Sequence, residues 1–162
     1  MENTKDRLVT AQWVFERQLA WIAAAEVKLA VVIAIDTALL GGLAAAYSSA
    51  TTHTHWTILL SVFSTLACSI AMFCVSMAVL PRLQGPSTSL LFFGKIRELD
   101  IDEYSSKYAV ATDQQLLEDW TAQIHRNADI ACLKHIWVRR SVLWSFIAAP
   151  AWIIAIGLLV KF

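Results

Sequence analysis

The stretch Trp56–Leu80 (WTILLSVFSTLACSIAMFCVSMAVL) limits this chain more than any other feature. Its 25 residues include no Asp, Glu, Lys, Arg, Asn, Gln, Gly or Pro. A helix rising about 1.5 Å per residue over that length crosses a hydrocarbon core of about 30 Å with some tilt. Pro81 cannot continue the helix and Arg82 suits a headgroup layer, so the span ends there. A soluble core helix rarely runs so far without a charge. The chain is therefore read as a membrane protein, and the remaining segments are placed relative to this span.

Two further crossings follow from the same reasoning. Residues 29–47 are almost wholly apolar, and residues 141–160 form a third run interrupted by Pro150, which kinks a membrane helix more often than it ends one. The expected spans are 29–47, 56–80 and 141–160. Ala38, Gly42 and Ala46 recur every four residues, a small-residue row that lets a neighbouring helix approach closely. Residues 6–27 read as a helix with Leu8, Phe15, Leu19 and Ile22 on one side, running on into the first crossing. Residues 48–55 (SSATTHTH) form a short polar hairpin. Residues 91–111 read as one or two short helices, broken at Gly94 and near Asp100. Thr112 and Gln115 have capping-box spacing at the start of a long helix that continues into the third crossing. The expected fold is an all-α membrane protein, one domain over 1–162. Its helices extend from the membrane into a helical cytosolic module of residues 1–28 and 81–140.

Basic residues orient the chain. Twelve of the 13 Lys and Arg lie before the first crossing or between the second and third. The positive-inside rule places the N-terminus and residues 81–140 in the cytosol and the C-terminus outside. The polar N-terminus is not expected to be a cleavable signal peptide. Net charge is zero and 57% of residues are hydrophobic, so bulk charge makes no case for nucleic acid.

Few residues point to chemistry. Asp36 is the one formal charge inside a crossing, at a depth shared by Ser69 and Ser76 on the second and Ser145 on the third. A carboxyl there must be neutral, paired or wetted. Two readings stay open: a helix-registering hydrogen bond, or a polar group lining a pore or driving association. Cys68, Cys74 and Cys132 lack CxxC or Cys/His spacing, and His53 and His55 have no third ligand nearby, so neither a metal nor a disulfide is expected. No nucleophile, phosphate-loop or metalloprotease motif occurs, and an enzyme is not expected. The cytosolic module combines cations (Arg82, Lys95, Arg97, Lys107, Lys134), ring faces (Phe92, Phe93, Tyr104, Tyr108, Trp120) and amides (Gln123, Asn127). These are the groups a small anionic heterocycle needs, and equally the groups of an ordinary core and headgroup anchor.

One ordered set of residues carries a resemblance. Ala25-Glu26-Val27-Lys28 leads into the first crossing and Pro81-Arg82 closes the second. Leu91-Phe92-Phe93-Gly94-Lys95-Ile96, Glu103-Tyr104, Leu116-Leu117-Glu118-Asp119 and Gln123-Ile124 follow. Ile130-Ala131-Cys132-Leu133-Lys134 precedes the third. From about residue 15 to 160 the chain resembles the Pycsar-type transmembrane effector family of bacterial anti-phage defence. The resemblance implies an inner-membrane protein that senses cyclic CMP or cyclic UMP from a partner pyrimidine cyclase and damages the membrane, aborting infection. By position, Lys28, Arg82, Phe93, Gly94, Tyr104, Gln123 and Lys134 become candidates for sensing or for supporting it, and Lys95 joins them from the cation set. The expected partners are the bilayer, the nucleotide and further copies of the chain in a homo-oligomer. No cofactor is expected. Two other readings stand beside this one: a constitutive small channel or transporter subunit conducting at Asp36, and a membrane adaptor docking a cytosolic partner.

Overall fold

A computed structural model describes residues 3–81 and 85–160. Five helices follow in order: α1 (Thr4–Ser49), α2 (His55–Val79), α3 (Phe93–Ile96), α4 (Ile101–Val110) and α5 (Asp113–Leu159). Among the described residues there is no strand, and α1, α2 and α5 are each long and apolar enough to cross a membrane. The fold is all-α. The chain forms two compact units: unit 1, Met1–Ala24 with Pro81–Leu133, and unit 2, Ala25–Leu80 with Lys134–Phe162.

Local chemistry sets the ends of the elements. Thr54 caps α2, its Oγ1 accepting from the Thr57 amide at 3.2 Å, and Leu80 closes the helix just before Pro81. The capping box at α5 forms: the Thr112 amide donates to Gln115 Oε1 (2.9 Å) and the Gln115 amide to Thr112 Oγ1 (3.3 Å). Asp100 caps α4. Pro150 lies within α5, which continues to Leu159. The hairpin between α1 and α2 is shorter than the polar composition suggests. His55 already belongs to α2, and His53 stacks on Tyr47 with ring centroids 4.3 Å apart. Gly94 lies inside α3 rather than at a break.

Unit 2 is a three-helix seam with a seven-residue repeat. The inward positions are Ala25, Leu29, Val32, Asp36, Leu39, Leu43 and Ala46 on α1, and Thr57, Ser61, Ser64, Cys68, Ala71, Val75 and Ala78 on α2. On α5 they are Lys134, Val138, Ser141, Ser145, Ala148, Trp152, Ala155 and Leu159. The steps alternate between four and three residues, an average of about 3.5, which is the period of left-handed coiled packing. Most of these positions are small or polar, while large apolar side chains such as Ile35, Phe63, Phe73, Phe146 and Ile153 are exposed. Water would disfavour that distribution. Lipid favours it, because apolar groups gain nothing by leaving hydrocarbon and helices attract through close approach and hydrogen bonds.

The small row on α1 is used inside the chain. A Cβ on Gly42 would sit 3.2 Å from the Trp152 ring, whose Nε1 donates to the Leu39 carbonyl at 2.7 Å. Ala46 packs against Leu43, Ala155 and Leu159, whereas Ala38 is exposed. In unit 1, Phe15 meets Trp120 edge to face at 5.0 Å. Of the apolar face expected on this part of α1, Leu8, Phe15 and Ile22 are half-buried, whereas Leu19 is exposed. Ala11 and Gln18 are the buried residues of that face.

Candidate functional site

The segment from Gly85 to Leu99 has little regular structure, and side chains of α4 and α5 hold it. Asp119 Oδ2 on α5 accepts from the Leu90 amide (2.7 Å) and the Leu91 amide (3.1 Å). One turn further, Gln123 Nε2 donates to Ser89 Oγ at 2.9 Å. That oxygen also accepts from the Leu91 and Phe92 amides, at 3.0 and 2.8 Å. From α4, the Tyr104 hydroxyl donates to the Leu90 carbonyl at 3.2 Å. All of these except the Gln123–Ser89 bond satisfy a backbone group of the segment, which is how a loop keeps one conformation. The Phe92 ring closes the turn against two glycines. An added Cβ would collide with it at Gly85 and come within 2.6 Å of it at Gly94.

Beneath this segment lies a cavity of about 680 Å³. One wall is Ser87, Thr88 and Ser89, another carries Lys95 and Glu98, and α4 and α5 add Lys107, Gln115, Glu118 and Asp119. Lys95 pairs with Glu98 at 2.8 Å and Lys107 with Glu103 at 2.8 Å, in both cases near the surface. Asp119 Oδ1 is buried and accepts no hydrogen bond. The cavity therefore holds cations, hydroxyls and carboxylate acceptors together, in the size range of small-molecule sites.

Of the residues singled out from the sequence, unit 1 brings together Lys95, Tyr104 and Gln123. Lys95 lines the cavity, while Tyr104 and Gln123 brace its roof. Gly94 is the bed of the Phe92 ring, and Phe93 is 65% exposed with its ring beside Phe92. Arg82 lies outside the described residues. Lys28 and Lys134 belong to unit 2. There Lys28 is exposed, and Lys134 donates to Glu26 Oε1 at 2.6 Å with its own side chain 10% exposed and that of Glu26 57%. Sequence reasoning assigned no role to Ser89 or Asp119. Asp119 lay within a quoted motif, and Ser89 stands three residues before Phe92, the spacing of a serine turn.

The residues proposed for the membrane separate cleanly. Ser145 Oγ donates to Asp36 Oδ2 at 3.0 Å, and Asp36 is wholly buried in the seam with Oδ1 unpartnered. An ionised carboxyl at that depth costs about 2.5–3.5 kcal/mol on insertion scales, so the serine bond offsets only part of the load. Ser69 and Ser76 point outward instead, each donating to a carbonyl of its own helix (Thr65, 2.8 Å; Met72, 3.1 Å).

The sequence model of the Pycsar effector protein domain matches residues 10–161. No curated protein and no solved structure matches the chain.

Proposed function

This chain belongs to the Pycsar effector family, and from that premise we propose that it senses cyclic CMP or cyclic UMP in unit 1 and impairs the bacterial inner membrane through unit 2. It acts by binding and not by catalysis. The observation that carries this reading is the cavity of about 680 Å³ under the 85–99 segment. Lys95 and Lys107 supply cations for a cyclic phosphate, and each has only a surface carboxylate to give up. Glu118, Asp119 and Gln115 supply acceptors and an amide for the ribose hydroxyl and the base edge. The cyclic nucleotide comes from a partner pyrimidine cyclase, and the N-terminus and residues 81–140 face the cytosol by the distribution of Lys and Arg.

α1 and α5 each supply residues to both units, so a ligand that reorders unit 1 acts on the helices that form the seam. It shifts the equilibrium only by its differential affinity for the closed and open arrangements. Three helices are too few to surround a lumen, and the conducting form is an assembly of several copies. A permanently open channel fits less well, because Asp36 has no solvent exposure in the closed seam.

The test is thermal unfolding of the full chain in detergent with cyclic CMP, UMP, AMP and GMP, followed by dye release from vesicles. One pyrimidine nucleotide at 100 times its dissociation constant adds about 2.7 kcal/mol to a reversible transition. Lys95→Ala and Lys107→Ala weaken that response by roughly tenfold or more, the worth of a charge-assisted bond. Flat responses to all four nucleotides, with no dye release, would refute the proposal.

A further inference from the structure

We propose that Asp36 is the charge-selecting residue of the conducting state, and that the ions it favours are cations. This rests on the reading that the effector permeabilises the bilayer, and it adds the residue and the class of ion.

The polar side chains of unit 2 fall into two sets. Ser69 and Ser76 face outward with their hydroxyls bonded to their own helix, which makes them acceptable to lipid without any partner. The second set is turned into the seam: Asp36, Thr57, Ser61, Ser64, Ser141 and Ser145. Two of its oxygens are buried without a hydrogen bond, Asp36 Oδ1 and Ser61 Oγ. Unmet polar atoms inside a membrane protein are where water enters first when helices part.

The seam is graded along its length. Toward the α1–α2 hairpin, Ser61 borders a cavity of about 650 Å³ together with Leu43, Tyr47 and Ile58. Ser64 follows, donating to the Ala148 carbonyl, and then the Asp36–Ser145 pair. Beyond that pair an apolar cluster of Leu29, Val32, Val75, Ala78 and Val138 closes the seam. A hydrophobic constriction of this kind holds back water until its walls separate. When it separates in the assembly, so that opened seams of several copies share one passage, the carboxylate of Asp36 stands in the water column. Lys28, Lys134, Arg139 and Arg140 all precede the apolar runs 29–47 and 141–160 that flank the Asp36–Ser145 pair, and Lys134 is already paired with Glu26. A solvated carboxylate is ionised at neutral pH, and in a narrow low-dielectric passage it concentrates cations and repels anions.

The experiment is a planar-bilayer recording of the full chain across a KCl gradient, with cyclic CMP and cyclic UMP supplied. The wild-type reversal potential is expected near that of potassium. Asp36→Asn moves it toward zero, Asp36→Lys moves it toward chloride, and Asp36→Glu keeps the cation preference. Where Asp36→Asn does not insert, the wild-type potential and Asp36→Glu decide. A non-selective wild-type current, or a cation preference that survives Asp36→Asn, overturns this inference and leaves permeabilisation standing. The second of those results is what a lumen lined by the outer hydroxyls of Ser69 and Ser76 would give. A bilayer silent under every condition overturns both.

Discussion

Replacing Asp119 with alanine removes the side chain on which the roof of the unit 1 cavity hangs. Its Oδ2 is the acceptor for the Leu90 amide at 2.7 Å and one of two acceptors for the Leu91 amide, which also reaches Ser89 Oγ. The Phe92 amide depends on Ser89 alone. A hydrogen bond to a charged group contributes about 1.5–3 kcal/mol, and an amide left buried without a partner costs a further amount of similar size. Leu90 is only half-buried, so water meets part of that demand and the lower half of the range applies. A loss of about 2 kcal/mol speeds local exchange of the Leu90 amide by roughly 30-fold. Asp119→Asn keeps an acceptor without the charge; losing about 1 kcal/mol, it speeds exchange by roughly fivefold. Hydrogen exchange of the full chain in detergent, resolved to single amides over 85–99, measures the effect. The expected order is Leu90 first, Leu91 next and Phe92 least. Unchanged exchange at Leu90, or a larger effect at Phe92, would refute the idea that Asp119 positions this segment.

Two further predictions concern the packing around the sites. Gly94→Ala puts a methyl group within 2.6 Å of the Phe92 ring, which Gly85 confines from another side. Overpacking of this kind costs about 1–3 kcal/mol, read as faster exchange over residues 85–99, and an unaffected segment would show that Phe92 can simply turn away. The Glu26–Lys134 pair is asymmetric, with the lysine buried and the carboxylate half in solvent. Glu26→Ala strands a buried ammonium and should lower thermal stability by about 1–2 kcal/mol, whereas Lys134→Met leaves an exposed glutamate and costs less than about 1 kcal/mol. Equal losses in the two variants would contradict that reading.

What the sequence alone determined was the set of local properties. Trp56–Leu80 announces a crossing because hydropathy sums over neighbours, and Thr112 with Gln115 announces a helix start because a capping box closes over four residues. The identity of the inward face was hidden for a physical reason. In water a helix shows its core by apolar contrast, but in lipid both faces are apolar, and α2 differs only by placing Thr57, Ser64, Ala71 and Ala78 inside and Phe63 and Phe73 outside. The tertiary structure decided which of several equally deep hydroxyls meets Asp36. Ser145 meets it, from 109 residues away, because α5 presents that residue to the seam while α2 turns Ser69 and Ser76 to the lipid side. It also decided that Lys134 answers Glu26 and that Gln123 answers Ser89. Such pairs depend on which helix faces lie opposite each other, and no sum over neighbouring residues carries that.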